Sequence, residues 1–286
     1  MKIDIFPPLS IHELGQRDNQ EDALYPQTGT TSDRLFVLCD GMGGYEGGEK
    51  ASQLVCQSLG KWFDEHTISA CPFTDFLLRE AIEYAYTELD KLDEDGLSHM
   101  GTTLTLLYIH RHGITAAYIG DSRIYHLRQG SSTTENGREG IILYQSCDHS
   151  LVYDLYQSGE ITYEEMLTHP KKNIITRAMS PGKGNRMRPD IIHITDIQPN
   201  DYFYMCSDGM LENMSNDELT AILTSQATDE EKRKHLINAT TNNHDNHTAW
   251  IIHVKEVKKE KGDDTLANEE STVRCNAISI IQIINK

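Results

Sequence analysis

The stretch LFVLCDGMGG, residues 35–44, changes character abruptly in its middle. Its first five residues are apolar and form a run short enough for a buried strand. Asp40 follows, and the strand is predicted to end there because aspartate is a poor residue for a strand interior. An Asp-Gly pair most often marks a hairpin turn. Here a glycine loop and a helical pattern follow Gly41 instead of a second strand, so the stretch predicts a strand that carries a carboxylate to a glycine-rich loop.

Two other apolar runs also end at an acidic residue next to glycine or serine. Asp121 follows the run at residues 114–119, and Asp208 follows the run at residues 202–206. A further apolar run begins just after Asp121, so a hairpin is also expected at that position. The recurrence predicts several carboxylates at strand ends.

The segments between these strands have helical spacing. A first amphipathic helix is predicted to begin near residues 47–48, and a second one lies just downstream. The apolar face of the second helix is predicted to contain Phe73, Phe76, Leu77, Ala81, Tyr84, Ala85 and Leu89. Ser215 with Glu218, and Thr228 with Glu231, have the spacing of capping boxes and open two later helices. Strands, paired helices, strands and helices in this order predict a layered α+β domain rather than a βαβ repeat.

The composition places the chain among globular proteins. It has 286 residues, of which 38% are hydrophobic and 24% are charged, and this suffices for a packed core. Its 26 lysines and arginines against 44 aspartates and glutamates give a net charge of −18. Such an excess of acid repels phosphate backbones and anionic lipid, so no nucleic-acid or membrane partner is expected. The first ten residues lack the pattern of a secretory signal, and no apolar stretch approaches the ~20 residues of a membrane span, so we expect a cytoplasmic protein.

One domain is predicted to occupy most of the chain, over residues 1–254. Within it the pattern loosens at about residues 145–190, where a loop rich in glycine, proline and basic residues predicts a flap. Two short helices are predicted in this flap, at residues 151–157 and 162–167. Residues 255–286 begin with a polar, turn-rich sequence typical of a linker, and residues 273–283 are a candidate for one extra edge strand.

Carboxylates gathered at one edge of a sheet predict a metal site. They would repel one another and raise each other's pKa unless cations lay among them. Oxygen ligands select Mg²⁺ or Mn²⁺, and the sequence contains no Cys/His cluster that would favour zinc. Two such ions about 3.5–4 Å apart can bridge one water, lower its pKa and hold it in line with a phosphorus atom. The expected chemistry is therefore phosphoester hydrolysis.

Eight local motifs occur along the chain in a recognisable order. They are Arg-x-x-x-Glu-Asp (17–22), Asp-Gly-Met-Gly-Gly (40–44), Gly-Thr-Thr (101–103), Gly-Asp-Ser-Arg (120–123), Asp-His-Ser-Leu-Val (148–152), Ile-Thr-Arg-Ala (175–178), Cys-Ser-Asp-Gly (206–209) and Asp-Asn-x-Thr (245–248). From about Gly15 to His253 this order resembles the metal-dependent protein phosphatases of the PP2C type, bacterial branch. The resemblance implies a four-layer α-β-β-α sandwich, in which two antiparallel sheets are flanked by antiparallel helix pairs and the metals lie at one end between the sheets.

The resemblance also implies a set of oxygen ligands for two Mn²⁺ or Mg²⁺ ions. The implied set is Glu21, Asp22, Asp40, the carbonyl of Gly41, Asp208 and Asp245. Asp40 would bridge both ions, and Asp208 and Asp245 would complete one site. Glu21 and Gly41 would complete the other site, where Asp22 would hold a metal-bound water.

A third, weaker ion is implied at Asp121 and Glu212, which match positions that bind it together with Asp208 in related proteins. Arg17 would grip the substrate phosphate with its planar guanidinium group, which suits bidentate contacts. A structural salt bridge is the alternative role for this arginine. The implied catalytic residues are therefore Arg17, Asp40 and Asp208.

The implied activity is hydrolysis of phosphoserine and phosphothreonine in proteins by direct attack of a hydroxide that bridges the two metals. The resemblance further implies phosphorylated proteins as partners, among them substrates of a serine/threonine kinase, and a monomer is expected. Two alternatives stay open at this point. One is a hydrolase of small phosphoesters, and the other is a non-catalytic module that binds phosphoproteins. The second alternative would have lost a metal ligand or Arg17, and both are present.

Two departures from the family pattern concern the leaving group and the flap. Some relatives carry a histidine where Met42 stands, and that histidine is proposed to protonate the leaving alkoxide. His149 and His247 are the candidates for this role here, although a histidine near a turn is more often a plain hydrogen-bonding residue. Relatives usually have a glycine near residues 179–180, where this chain has Met-Ser.

A basic run lies in the flap of this acidic chain. It consists of Lys171, Lys172, Arg177, Lys183, Arg186 and Arg188. We expect Lys183, Arg186 and Arg188 to offer a docking edge for acidic or phosphorylated segments beside the metal site. A solvated loop is the alternative.

Overall fold

Two antiparallel sheets lie face to face in the computed structural model, which describes residues 1–43, 47–66, 73–92, 100–134 and 137–258. The strands of this described part are β1 (Lys2–Ile5), β2 (Leu9–Glu13), β3 (Asp22–Tyr25), β4 (Leu35–Met42), β5 (Gly101–Thr102), β6 (Leu104–His110), β7 (Gly113–Ile119), β8 (Arg123–Thr134), β9 (Gly137–Gln145), β10 (Asp190–Ile194), β11 (Tyr202–Cys206) and β12 (His247–Lys258). The first sheet has the order β10-β7-β6-β4-β3, and β5 pairs with the end of β4. The second sheet has the order β1-β12-β11-β8-β9, and β2 also pairs with β12.

Four helices of the described part cover the outer faces of the sheets: α1 (Gly47–Glu65) and α2 (Asp75–Asp90) on the first, and α5 (Asn216–Leu223) and α6 (Asp229–Thr240) on the second. Two shorter helices, α3 (Leu151–Gln157) and α4 (Tyr163–Thr168), lie between β9 and β10. The predicted capping boxes are confirmed at Ser215 and Thr228, which open α5 and α6. Each hydroxyl accepts a hydrogen bond from the backbone N–H of the glutamate three residues later, and the side chain of each glutamate accepts one from the backbone N–H of the cap residue.

Three separate apolar cores lie between four layers. One core joins α1 and α2 to the first sheet, the second lies between the sheets, and the third joins α5 and α6 to the second sheet. Trp250 of β12 crosses the middle core, where its ring meets Phe36 at 5.3 Å and its Nε1 donates to the Val37 carbonyl at 3.3 Å. This arrangement confirms the α+β sandwich that the sequence predicts.

The alternation of side chains along β4 decides where Asp40 points. Val37 and Cys39 belong to the core under α1 and α2, whereas Phe36 and Leu38 belong to the core between the sheets. Because side chains alternate along a strand, Asp40 continues the Phe36–Leu38 side and faces the space between the sheets. The carboxylate therefore stands at the end of the middle core.

The hairpin expected at Asp121 is wrong. β7 belongs to the first sheet and β8 to the second, so Gly120 and Asp121 lie where the chain crosses between the sheets. Gly120 has φ +110°, and a Cβ on it would lie 2.6 Å from the Thr103 Cγ2, so glycine is needed at this crossing. Local sequence does not reveal the crossing, since β7 pairs with β6 and β10 in one sheet whereas β8 pairs with β9 and β11 in the other.

Two further predictions need correction. Phe76 is 68% exposed and does not join the core under α2, because α2 begins at Asp75 and places Phe76 on its outer side. The predicted boundary at residue 254 also falls inside a strand, since β12 continues to Lys258 by pairing with β1. The candidate strand at residues 273–283 lies outside the described residues.

The flap contains the two predicted helices, α3 and α4. Thr102 of β5 pairs with Met179 and ties the flap to the first sheet, whereas Ser150 pairs with Ile175 within the flap. In the described part of the chain, no helix is long and apolar enough to cross a membrane.

Candidate metal centre

Asp22 and Asp40 stand opposite each other on neighbouring strands of the first sheet. The register of β3 and β4 pairs them directly, and side chains paired in this way lie on the same face of a sheet. The backbone of Asp40 is held by the Gly-Thr-Thr motif. Its N–H donates to the Thr103 Oγ1 at 2.9 Å, and its carbonyl accepts from the Thr102 Oγ1 at 2.9 Å. Two carboxylates are thereby fixed side by side at the edge of the middle core.

Ser207 joins this pair to the second sheet. Its Oγ donates to the Asp22 Oδ2 at 2.8 Å and accepts from the Thr248 N–H at 3.0 Å, and all three residues are buried. Asp208 follows at once, in a short 3₁₀ turn over Asp208–Leu211. The sequence predictions assign no role to Ser207. The available signal is a small hydroxyl residue between a buried strand and an aspartate.

Two glycines allow the start of α1 to approach the acidic strand. A Cβ on Gly41 would lie 2.2 Å from the Gly48 carbonyl oxygen, and a Cβ on Gly48 would lie 2.7 Å from the Glu21 Oε1. The Gly41 N–H also donates to the Glu21 carbonyl at 3.0 Å. Glu21 and Gly41 are therefore neighbours, as the sequence predicts, and larger residues would separate them.

The Asp-Asn motif brings the N-terminal loop to the second sheet. The Asn246 side chain accepts from the Glu21 N–H at 2.8 Å and donates to the carbonyls of Leu14 and Asn19 at 2.8 and 3.0 Å. A Cβ on Gly209 would lie 2.0 Å from the Asn246 carbonyl oxygen, so the Asp208 turn sits directly against Asp245 and Asn246. These contacts gather the acidic residues from both sheets.

Arg17 forms an ion pair with Asp245, one of these acidic residues. Its Nη2 lies 2.8 Å from the Asp245 Oδ2, and about half of the arginine side chain is exposed. Hydrogen bonding to Asp245 raises the pKa of the guanidinium further. In this structure Arg17 therefore has the salt bridge that was its alternative role.

Burial and mutual repulsion disfavour the charged forms of these acids. Burial, with Asp22, Asp208, Asp121 and Asp245 nearby, raises the pKa of Asp40 well above its ordinary value. Burial also raises the pKa of Asp22 to about 7, although the hydrogen bond from Ser207 opposes the change. For Asp208, burial and the charge of Asp245 raise the pKa to about 6.

The pKa values of Asp121 and Glu21, at the edges of the cluster, are also raised. Burial and the charges of Asp208 and Asp148 raise the pKa of Asp121 to about 8. Burial raises the pKa of Glu21 as well, with Arg17 opposing the change. The site thus holds several carboxylates whose charges the protein does not balance.

Two of these carboxylates have an oxygen with no partner. The Oδ1 atoms of Asp22 and Asp121 are buried and accept no hydrogen bond from any residue that the structure describes. An unpaired buried carboxylate oxygen costs free energy, and a hard cation is the partner that an all-oxygen donor set fits. The residues present therefore fit Mn²⁺ or Mg²⁺. Among the described residues, no three acidic, histidine or cysteine side chains already form a group that could hold a metal ion.

Asp121 and Glu212 do not face the same neighbours. Asp121 interacts with Asp208, as a third site would need. Glu212 is bonded to His244 instead, accepting from its Nδ1 at 2.8 Å and from its N–H at 2.7 Å. Burial acts to raise the pKa of Glu212, but these hydrogen bonds lower it overall.

Both histidine candidates are parts of the framework. The Gly120 N–H donates to the His149 Nδ1 at 3.0 Å, and the buried ring stacks on Tyr118. The buried His247 has its Nδ1 3.0 Å from the Asp245 carbonyl oxygen. Both positions are typical of plain hydrogen-bonding histidines.

The three predicted docking cations have different surroundings. Arg186 forms ion pairs with Glu83 and with Asp90, so α2 already balances its charge. Lys183 and Arg188 are exposed and have no ion pair with another described residue. Arg186 is thus an anchor of the flap on α2.

Comparison with known proteins yields one family. A model of the protein phosphatase 2C family matches residues 12–241. The protein phosphatase PhpP of Streptococcus pneumoniae serotype 2 is 30% identical over 249 residues, which cover 85% of this chain and 96% of the streptococcal protein.

Solved structures give the same result. The crystal structure of the Mycobacterium tuberculosis serine/threonine phosphatase PstP/Ppp superposes with a TM-score of 0.73 at 27% identity, covering 89% of this chain and 100% of the other. The catalytic domain of PstP in complex with two manganese ions superposes with a TM-score of 0.70 at 26% identity, again covering 89% and 100%.

Proposed function

The chain belongs to the protein phosphatase 2C family, and we infer on this basis that it is a metal-dependent phosphatase of phosphoserine and phosphothreonine in proteins. The observation that carries the inference to this chain is the cluster of carboxylates at the end of the middle core. Their pKa values are raised by burial and by one another, and two of their oxygens are unpaired. A cluster of this kind lowers the stability of the metal-free fold and fits a site for cations.

We propose that Glu21, Asp22, Asp40, the carbonyl of Gly41, Asp208 and Asp245 hold two Mn²⁺ or Mg²⁺ ions. A neighbour with the same fold contains two manganese ions. When bound, such ions lower the pKa of water and neutralise the charge on a phosphoryl group. Asp22 and Asp40 supply charge from the first sheet, and Asp208 and Asp245 supply it from the second. Ser207 and Thr103 fix the orientation of these acids through the hydrogen bonds described above.

Arg17 is proposed to bind the phosphate of the substrate. Its guanidinium lies at the edge of the acidic cluster, is half exposed and has a planar fork that matches phosphate oxygens. Its present partner, Asp245, is one of the proposed metal ligands. A cation at Asp245 would compete with Arg17 for the carboxylate and would leave the guanidinium free to face the substrate.

Asp121 is proposed as part of a third, weaker cation site together with Asp208. Glu212 can join it only by giving up its hydrogen bonds to His244. We also propose that the substrates are targets of a serine/threonine kinase, and that the protein acts as a monomer in the cytoplasm.

Steady-state kinetics with two substrates test the proposed function. The wild-type protein should hydrolyse both a phosphothreonine peptide and p-nitrophenyl phosphate with Mn²⁺, and neither in excess chelator. Asp40→Asn should remove both activities, whereas Glu230→Gln, which changes an exposed acid on α6, should leave them unchanged. Activity in chelator or in Asp40→Asn would refute the metal mechanism. Turnover of p-nitrophenyl phosphate without turnover of any phosphopeptide would refute the protein substrate.

A further inference from the structure

A groove of about 410 Å³ lies between α2 and the last part of the flap, away from the acidic cluster. Its lining combines an apolar strip with arginines. Met187 of the flap supplies exposed apolar surface beside the buried Ile82 and Tyr86 of α2, and Arg79, Arg186 and Arg188 complete the lining. We propose that this groove docks an acidic segment of the phosphoprotein substrate that carries one large apolar side chain, a proposal that rests on the proposed function.

The flap segment that forms one wall is held rigidly on α2. The Tyr86 hydroxyl donates to the Met187 carbonyl at 3.2 Å and accepts from the Met187 N–H at 2.9 Å. Arg186 adds ion pairs to Glu83 and Asp90, and the Gly182 N–H donates to the Asp90 Oδ1 at 2.8 Å. A groove whose walls are fixed in advance loses little entropy when it binds a partner.

These contacts hold the backbone of Met187 but leave part of the residue exposed. The backbone of Met187 is fully used by Tyr86, yet 39% of the residue is exposed. Methionine is flexible and polarisable, so it adapts to different apolar side chains. The Met187 side chain in the lining of the groove therefore suits contact with one aliphatic or aromatic residue of the partner.

Two of the arginines have no carboxylate partner. Arg79 and Arg188 are exposed and form no ion pair with any residue that the structure describes, whereas Arg186 is balanced by α2. Glu83 is the one acidic residue in the lining, and it is engaged by Arg186. In a chain with a net charge of −18, this excess of positive charge is local and complements an acidic segment.

The groove is connected to the metal centre through the flap. Met179 exchanges two backbone hydrogen bonds with Thr102, at 2.8 and 2.9 Å, and Thr102 in turn binds the Asp40 carbonyl. Only nine positions along the chain separate Met179 from Arg188. A substrate could thus place its phosphorylated residue at the metal centre and a more distant acidic segment in the groove.

Charge reversal of the unpaired arginines tests the docking. Arg79→Glu with Arg188→Glu should raise the KM for a phosphothreonine peptide that carries a downstream acidic-apolar segment by about tenfold. The turnover of p-nitrophenyl phosphate should stay at the wild-type value. The matched control is Lys61→Glu with Lys234→Glu, which changes the net charge equally at exposed positions of α1 and α6 outside the groove.

A binding measurement separates docking from catalysis. The unphosphorylated acidic-apolar peptide, labelled with a fluorophore, should bind the wild-type and control proteins and bind the arginine variant about tenfold more weakly in fluorescence anisotropy. A peptide with glutamines in place of its acids should bind all of them weakly. If the arginine variant bound the peptide as tightly as the wild type does, the docking proposal would be refuted. The same would follow if the control variant lost as much affinity as the arginine variant. Failure of the wild type to hydrolyse any substrate would instead refute the proposed function. The anisotropy measurement would still decide whether the groove binds the acidic peptide.

Discussion

Strand β11 has an aspartate near each of its ends, and the two carboxylates have neighbours of opposite charge. Asp201 immediately precedes the strand and is completely buried. It accepts hydrogen bonds from the His126 Nε2, from the Nε and Nη2 of Arg128 and from the Gln198 N–H, at 2.7 to 2.8 Å. Burial acts to raise the pKa of Asp201, but Arg128 and His126 lower it overall.

Asp208 follows the other end of the same strand and has acidic neighbours instead. Burial and the charge of Asp245 raise its pKa, and the only arginine of the cluster in the described residues, Arg17, is paired with Asp245. The fold thus satisfies one carboxylate with its own cations and leaves the other in excess negative charge. The difference teaches that the fold itself neutralises Asp201, whereas it leaves Asp208 with the uncompensated charge on which the proposed metal site rests.

Neutralising Asp208 should produce the largest effect on activity. Asp208→Asn should lower the Mn²⁺-dependent kcat/KM for a phosphothreonine peptide by about 10³-fold, because a charge needed at the metal centre is lost. The same variant should be at least as stable as the wild type in chelator, since it relieves repulsion from Asp245. Stopped assays over a range of Mn²⁺ concentrations, beside urea denaturation, measure both quantities. An Asp208→Asn variant that is destabilised in chelator but still active would contradict the role proposed for Asp208.

The matching change at the other end should act on stability. Asp201→Asn should lower the free energy of unfolding by about 3 kcal/mol, because a buried ion pair loses one partner. Asp196→Asn is the control, since Asp196 is 74% exposed and binds the same Arg128, and it should cost less than about 1 kcal/mol. Urea denaturation in chelator measures the difference. Equal costs for the two variants would show that burial of Asp201 is not the decisive factor.

A smaller effect is expected from the serine that joins the two sheets at the acidic end. Ser207→Ala should weaken Mn²⁺ binding about tenfold, because Asp22 loses the donor that orients it. Ser146→Ala removes a buried hydroxyl that accepts from the Ile124 N–H at 2.9 Å instead, and it serves as the control. Titration calorimetry with Mn²⁺ measures both affinities. An equal loss in the two variants would indicate a general loosening of the site.

The smallest expected effect is a pH dependence of stability in chelator. The pKa values of Asp208, Asp22 and Asp121 in the folded protein, about 6, 7 and 8, lie above the ordinary value of 3.8. The folded state therefore holds these protons more tightly than the unfolded chain does. Their stabilising contribution is complete below about pH 4 and is lost as the pH rises through 6 to 8.

Asp121→Asn removes one of these groups and provides the comparison. The difference in Tm between this variant and the wild type in chelator should grow by a few degrees, in favour of the variant, between pH 5 and pH 8. Calorimetry at both pH values measures it. A difference that stays constant would mean that Asp121 is already ionised in the folded protein at pH 5.

Patterns within single elements were enough to predict much of the fold. The capping boxes at Ser215 and Thr228 need only neighbouring residues, and the helix at residues 151–157 was predicted with the bounds that the structure has. The preference of aspartate against strand interiors placed Asp40 near the end of a strand, but the predicted end at Asp40 is two residues early, because β4 continues to Met42 by pairing with β5. These signals are local, so sequence suffices for them.

Features that depend on distant partners could not be predicted. The crossing at Gly120 looks like a hairpin in sequence, because nothing local says that β7 and β8 join different sheets. The extension of β12 to Lys258 depends on β1, at the other end of the chain. The same limit applies to Arg17, whose partner Asp245 lies 228 residues away.

The hydrogen bond between Ser207 and Asp22 spans 185 residues of sequence, and it has a consequence for biosynthesis. The first acidic residues leave the ribosome early, yet their companions from the second sheet are made only in the last third of the chain. A chain interrupted before Asp208 lacks two of the six proposed ligands, Asp208 and Asp245, and has no complete place for manganese. Binding of the ion would therefore require that synthesis has passed Asp208 and that the two sheets have packed together. A nascent phosphatase would stay inactive until then.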